Sequence, residues 1–263
     1  MGKNSQKLSV VIPVYNEQDS LRYVVEKVAA IPGIFEIVIV DDCSTDRTPS
    51  VIASLAQEYG ELLRTQRHQR NAGKTAALRT AFDMTRGDIV IVQDADLEYD
   101  PTEIPDVIGP IVNDQADVVY GSRFLVRRAA RVVYFYHYMA NRFITFCSNL
   151  LTNMNMTDVE TGYKAFRGDI IRNMLIHSKG FGFEIEVTAK IAKLRCRVYE
   201  VPISYYGRTY EEGKKIGPID GIYALWYILK YNLGVGLRRS FKRVPELPKE
   251  HAAPMAHAAA RAK

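Results

Sequence analysis

The sequence predicts an α/β fold built on a mostly parallel sheet with helices on both faces. Three observations carry the prediction. Short apolar runs alternate with helical segments through residues 1–120. The runs are near-continuous rather than alternating, as in strands buried on both sides. Two of them end on carboxylates, Asp41-Asp42 and Asp94-Ala95-Asp96, at the strand ends where such sheets open a ligand crevice.

The elements follow in order. Leu8 to Val14 reads as a buried strand, and Asn16-Glu17 leads into a helix that ends near Pro32-Gly33. Phe35 to Val40 is a second strand. Thr45-Asp46 can cap a helix reaching about Tyr59, with Pro49 tolerated in its first turns. Leu62 to Thr65 reads as a short third strand and Ala76 to Met84 as a helix. Asp88 to Val92 is another buried strand, Glu103 to Val112 a helix, and Asp117 to Tyr120 a strand. Both acidic clusters should therefore face one crevice.

The second half is patterned differently. Val132, Tyr136, Met139, Phe143, Phe146 and Leu150 draw one apolar helical stripe, with Asn141, Thr145, Ser148 and Thr152 opposite. Ile219, Ile222, Trp226, Leu229 and Leu233 draw another. Cations sit at the margins: Arg127, Arg128, Arg131 and Arg142 for the first, Lys230, Arg238 and Arg239 for the second. Two arrangements satisfy this pattern. Each stripe packs on the core, as most amphipathic helices do, or lies on an anionic lipid surface.

Charge divides the chain. Residues 1–120 hold 11 basic and 19 acidic side chains, residues 121–237 hold 17 and 9, and residues 238–263 hold 7 and 2. The overall +5 thus hides an acidic half and a basic half, which argues against a nucleic-acid binder. With 47% hydrophobic and 25% charged residues, wholesale disorder is excluded. Cys43, Cys147 and Cys196 form neither a disulfide framework nor a zinc signature, so a reducing cytosol is the expected compartment. The polar start, Met1 to Lys7, gives no signal peptide. No apolar stretch approaches the ~18 residues of a spanning helix. Ala-rich His251 to Lys263 reads as disordered.

Several residues can carry chemistry. Asp94-x-Asp96 after a strand can hold a divalent cation, Mg²⁺ or Mn²⁺, on hard oxygens, with Glu98 completing the site. The plain alternative is a solvated acidic loop. Asp41-Asp42 can accept hydrogen bonds from a base or ribose, or simply lead into a helix. Asn71-Ala72-Gly73-Lys74-Thr75 lacks the first glycine of a phosphate-binding P-loop, because His68 stands there. Lys74 near a helix start can still neutralise a phosphate. Gly180-Phe181-Gly182 fails the dinucleotide fingerprint, the five histidines lack zinc spacing, and no Gly-x-Ser-x-Gly elbow occurs.

In order along the chain stand Val10-Val11-Ile12-Pro13-Val14-Tyr15-Asn16-Glu17, Val40-Asp41-Asp42, Asn71-Ala72-Gly73-Lys74, Gln93-Asp94-Ala95-Asp96-Leu97-Glu98 and Gly121-Ser122-Arg123-Phe124. Then come Asp158-Val159-Glu160-Thr161-Gly162-Tyr163-Lys164, Phe183-Glu184-Ile185-Glu186, Val201-Pro202-Ile203, and Arg208-Thr209-Tyr210 with Gly213-Lys214-Lys215. Across residues 8–233 this set resembles the family 2 glycosyltransferases of the GT-A fold. The nearest resemblance is to the polyprenyl-phosphate branch typified by dolichyl-phosphate mannose synthase.

The resemblance implies an inverting transfer of a hexose from a nucleoside diphosphate sugar, of the GDP-mannose or UDP-glucose type, to dolichyl or undecaprenyl phosphate. It implies that Pro13, Tyr15, Glu17, Asp42, Lys74, Asp94 and Ala95 hold the donor. Asp94 and Asp96, with Glu98, would hold Mg²⁺ or Mn²⁺. Arg123 would contact phosphate at the transfer point, and Lys164, Arg208 and Lys215 (or its neighbour Lys214) would surround the acceptor phosphate. Members of the family often have Arg where Lys164 stands, and Ser-Lys where Lys214-Lys215 stands.

The expected organisation is a flexible N-terminus (1–7), a GT-A catalytic domain (8–217), an amphipathic helical segment (218–240) and a disordered basic tail (241–263). The protein would lie peripherally on the cytoplasmic face of a membrane, by itself or through a membrane-anchoring partner. Two other functions fit the same residues. One is transfer to a soluble or glycan hydroxyl, which needs a base such as Asp158, Glu184 or Glu186. The other is a non-catalytic, membrane-peripheral nucleotide-sugar-binding module.

Overall fold

A computed structural model describes residues 6–125, 134–180, 182–207 and 218–247. Its centre is a seven-stranded sheet. The strands are β1 (Leu8–Val14), β2 (Ile34–Asp41), β3 (Leu63–Arg67), β4 (Ile89–Val92), β5 (Val118–Ser122), β6 (Lys164–Arg167) and β7 (Val198–Pro202). Their order is β3-β2-β1-β4-β6-β5-β7. All pairings are parallel except those of β6, which runs antiparallel to both β4 and β5. The mostly parallel α/β fold read from the sequence is therefore the fold observed.

Helices cover both faces. On one side, α1 (Leu21–Ala29), α2 (Thr48–Tyr59) and α4 (Ile104–Val112) pack on Val10, Ile12, Ile37, Ile39, Ile89 and Ile91. On the other, α3 (Lys74–Met84), α6 (Gly168–Asn173) and α7 (Phe183–Leu194) pack on Val11, Val38, Val40, Val90 and Val92. The alternation of Val10/Ile12 with Val11 is the two-residue period of a strand distributing apolar side chains to two cores.

Two expected boundaries move. Helix α2 begins at Thr48, and Asp46 braces the backbone just ahead of it, its Oδ1 accepting from the Thr48 N–H at 2.9 Å. Residues 241–247 do not form the tail that their charge suggested. Phe241 is buried in the second core, Leu247 packs against it, and the Lys242 N–H donates to the Asn173 carbonyl at 2.7 Å. A deletion from residue 241 would remove part of that core. Residues 1–5 and 248–263 lie outside the described residues.

The packing of the two amphipathic helices turns the described residues of their stripes away from the core. Helix α5 (Phe135–Thr152) packs with its polar side inward: Thr145 and Ser148 are buried. Its apolar stripe faces outward, with Tyr136 85%, Phe146 63% and Leu150 72% exposed. Helix α8 (Pro218–Leu233) buries Ala224, Tyr227, Ile228 and Tyr231 against α5 and α7 and leaves Ile222 69% and Leu233 73% exposed. Neither stripe is a core face. Val132 and Arg127, Arg128 and Arg131 fall outside the described residues. No helix among the described residues is long and apolar enough to cross a membrane.

Candidate active site

The carboxyl ends of β1, β2 and β4 share one edge of the sheet, and the sequence-predicted donor residues lie there. Pro13 pairs with Val40 in the ladder, and Tyr15 and Glu17 follow β1. Their loop is braced against the one after β2. The Asn16 N–H donates to Ser44 Oγ and the Glu17 N–H to Thr48 Oγ1, each at 3.0 Å, while Asn16 Oδ1 accepts from the Thr45 N–H at 2.8 Å.

Asp42 organises the next loop. Its carboxylate accepts the N–H groups of Ala72 (3.0 Å) and Gly73 (2.7 Å) and lies 2.7 Å from His68 Nδ1. Gly73, at φ +88°, then turns the chain into α3. That turn needs a left-handed backbone, which glycine adopts without strain. Lys74 is the first residue of α3, and its Nζ lies 2.9 Å from both Asp94 oxygens and 3.7 Å from Glu184 Oε1. Burial disfavours the ammonium, but Asp94 and Glu184 outweigh it and raise the pKa, so Lys74 stays charged.

The acidic loop follows β4. The Ala95 methyl is buried in the core, so only its backbone is offered to the loop. Asp96 Oδ1 accepts from the Glu98 N–H at 3.1 Å, and Glu98 Oε2 accepts from the Tyr205 hydroxyl at 3.0 Å. Burial, followed by the neighbouring charges of Asp94 and Glu98, raises the Asp96 carboxyl to about 7. Among the described residues, no three His, Cys, Asp or Glu side chains are gathered in a metal-binding arrangement. The donor set nevertheless suits a divalent ion. Asp94, Asp96 and Glu98 stand on one short loop, and the mutual repulsion that falls on Asp96 is one that a hard cation would relieve.

The basic side meets the acidic loop at Tyr205. Arg123, just past β5, stacks its guanidinium over the Tyr205 ring at 5.0 Å. It grips Asp158 with two hydrogen bonds, Nε to Oδ2 at 2.6 Å and Nη2 to Oδ1 at 2.7 Å. Burial opposes both charges, yet the pairing wins: Arg123 is raised and Asp158 held below the usual carboxylate range.

Lys164 lies beneath the residues of the site, within electrostatic reach of Asp158, Glu160, Glu184 and Lys74. It is fully buried, and its Nζ donates to the Val159 carbonyl at 3.1 Å and to the Thr161 carbonyl, with the Tyr120 ring 4.6 Å away. Burial lowers its pKa to about 8. Here it supports the 158–163 loop from beneath. Arg208, Lys214 and Lys215 lie outside the described residues.

Three contributors were given no role from the sequence, although Glu160 and Gly162 stand in the Asp158–Lys164 stretch. Glu200, on β7, accepts the Thr157 N–H at 2.9 Å and the Asp158 N–H at 3.2 Å, and so sets the backbone that aims Asp158. Gly162 lies so close to the acidic loop that a Cβ there would sit 2.6 Å from Asp94 Oδ2. Glu160 has a buried Oε1 without a hydrogen-bond partner, and burial followed by the charge of Glu184 raises it to about 7. Glu186, one of the candidate bases, is not available: buried, it accepts the N–H groups of His177 and Ser178 and pairs with Lys190.

Comparison with known proteins is consistent with this geometry. Glycosyl transferase family 2 matches residues 9–175. The undecaprenyl-phosphate 4-deoxy-4-formamido-L-arabinose transferase of Edwardsiella ictaluri is 33% identical over 226 residues, 81% of this chain and 64% of its own length. The undecaprenyl-phosphate mannosyltransferase of Micrococcus luteus is 29% identical over 226 residues, 82% of this chain and 90% of its own length. The chain thus spans less than two thirds of the first of these relatives. Among solved structures, glucosyl-3-phosphoglycerate synthase of Mycobacterium tuberculosis, in complex with Mn²⁺, UDP and phosphoglyceric acid, superposes with a TM-score of 0.64. It is 19% identical and covers 87% of this chain and 79% of that one. That likeness concerns the fold, which is the GT-A glycosyltransferase fold. The match along residues 9–175 assigns the chain itself: it belongs to glycosyl transferase family 2.

Proposed function

We propose that the protein transfers a sugar from a nucleoside diphosphate donor to a polyprenyl phosphate at a membrane surface. The observation that carries this reading is the junction at Tyr205. Its hydroxyl donates to Glu98 on the acidic loop while its ring lies under Arg123. A donor-binding loop and an anion-binding guanidinium thereby share one crevice.

In this reading Pro13, Tyr15, Glu17 and Asp42 line the base and ribose end. Asp94, Asp96 and Glu98 would hold Mg²⁺ or Mn²⁺, which would supply charge neutralisation for the departing diphosphate. A phosphate oxygen of the acceptor attacks the anomeric carbon from the face opposite the diphosphate. The sugar–diphosphate C–O bond breaks, its electron pair leaves with the nucleoside diphosphate, and the configuration inverts. A phosphate monoester, with a second pKa of about 6, is already ionised at neutral pH and needs no base. It needs an oriented cation. Arg123, with Nε and Nη2 committed to Asp158, keeps Nη1 for that purpose.

The outward apolar stripes of α5 and α8 support a lipid acceptor and peripheral membrane binding. The relatives from E. ictaluri and M. luteus are both named as undecaprenyl-phosphate transferases. A hydroxyl acceptor has one point in its favour, since Glu160, raised to about 7, is poised to accept a proton near neutral pH.

The test is direct. Protein, Mg²⁺ or Mn²⁺, labelled nucleotide sugars and undecaprenyl or dolichyl phosphate are incubated together and partitioned. Label entering the lipid phase with one donor supports the proposal. Label passing only to a glycan favours the hydroxyl reading, and no transfer to either acceptor sinks both.

A further inference from the structure

We infer that Lys74 is a tethered counter-ion, which occupies Asp94 when no divalent metal is bound and yields it by moving its ammonium toward Glu184. The inference rests on the donor-loop metal reading above and extends it to the order in which ligands bind.

The geometry offers the ammonium two neighbouring positions. In the present one, Nζ is 2.9 Å from both Asp94 oxygens. The second lies alongside, because Glu184 Oε1 is only 3.7 Å from the same nitrogen. Glu184 is buried, so its carboxylate gains from keeping a cation beside it. Lys74 is anchored at the start of α3, and its four-carbon stem lets the charge move while the backbone stays still.

Electrostatics then dictates the coupling. A metal on Asp94 and the ammonium on the same carboxylate would repel within a few ångströms in a partly desolvated site. A metal arriving alone must displace Lys74. A metal arriving with a diphosphate brings anionic oxygens that offset both cations. The chain therefore favours the metal together with the nucleotide over the metal alone.

The test uses the whole chain and no sugar or acceptor, so nothing turns over. Mn²⁺ is titrated and free ion read by electron paramagnetic resonance, with and without UDP or GDP. Lys74→Met should bind Mn²⁺ alone roughly tenfold more tightly than wild type. Glu184→Gln, which removes the second position, should bind it several-fold more weakly. In the Lys74→Met background, Glu184→Gln should add little, because its effect passes through the ammonium. A merely structural role would weaken binding in both single variants, and a simple field effect would be additive; either result overturns the inference. Glu184→Gln keeps the lysine and carries the test alone if Lys74→Met does not fold. In that case, unchanged Mn²⁺ affinity in Glu184→Gln overturns the inference. Wild-type protein that takes up no Mn²⁺ under any condition removes the metal reading itself, and the inference with it.

Discussion

Arg123 and Asp158 meet as a fork on a fork, two parallel hydrogen bonds of 2.6 and 2.7 Å with the carboxylate fully buried. Such a pair is most sensitive to losing one partner, because the other charge is then left desolvated and alone. Asp158→Asn should destabilise the protein by about 3–5 kcal/mol, the range for breaking a buried ion pair. A urea melt checks this. A loss near zero would mean that Arg123 reaches solvent or another anion in the folded state.

Gly162 predicts a steric effect on the acidic loop. In Gly162→Ala the new methyl would lie 2.6 Å from Asp94 Oδ2 and 3.3 Å from both Lys74 Nζ and Tyr99 Cε2. Overpacking of this kind typically costs about 1–3 kcal/mol. The larger expected consequence is loss of the thermal shift that nucleotide with Mn²⁺ gives wild type, because Asp94 is pushed from its place. A variant with a normal shift would show that the loop tolerates the methyl.

Lys164 predicts a pH dependence. Its folded pKa, about 8 because of burial, lies below the unfolded lysine value near 10.4. The unfolded chain therefore binds more protons between these two values, and stability rises with pH in that window. The penalty is fully present below about pH 8 and fades toward about 10.4, amounting to roughly 3 kcal/mol. Lys164→Met should flatten the rise. Chemical denaturation of both proteins between pH 7.5 and about 9, below the tyrosine pKa of about 10, provides the comparison; parallel curves would contradict the assignment.

The outward stripes predict a separation of binding from folding. Phe146→Glu on α5 and Leu229→Glu on α8 alter exposed positions and should change stability by no more than about 0.5 kcal/mol. Together they should strongly reduce co-sedimentation with anionic vesicles. Retained sedimentation would assign the stripes another role.

The first half of the sheet was largely legible in the sequence, for physical reasons. Strands β1, β2 and β4 are near-continuous apolar runs, as strands buried on both faces are, and β2 and β4 lead into the acidic pairs. Strands β6 and β7 carry no such pattern, being Lys164-Ala-Phe-Arg and a run ending in Pro202. Helix α7 buries Glu184, Glu186 and Lys190 along with its apolar residues, so it has no polar face to mark it. The stripe of α5 was visible, and its direction was not, because a helical period does not say which side faces the core. Asp94, Asp96 and Arg123 announce themselves through local motifs. Glu200 and Gly162 act on residues 42 and 68 positions away, and only the assembled sheet brings them there.

The reversed strand β6 has a mechanical consequence. A parallel strand delivers only its end to the crevice, whereas β6 delivers its beginning, so the 158–163 loop enters beside the loop that leaves β4. The two loops are set one ladder spacing apart, about 4.8 Å. That separation is fixed by backbone hydrogen bonds and not by a hinge. Arg123 leaves β5 on the far side of β6, so the acidic loop and the arginine-bearing loop start two strand spacings apart, a gap gauged by the pitch of the sheet itself, as firmly as the jaws of a fixed spanner.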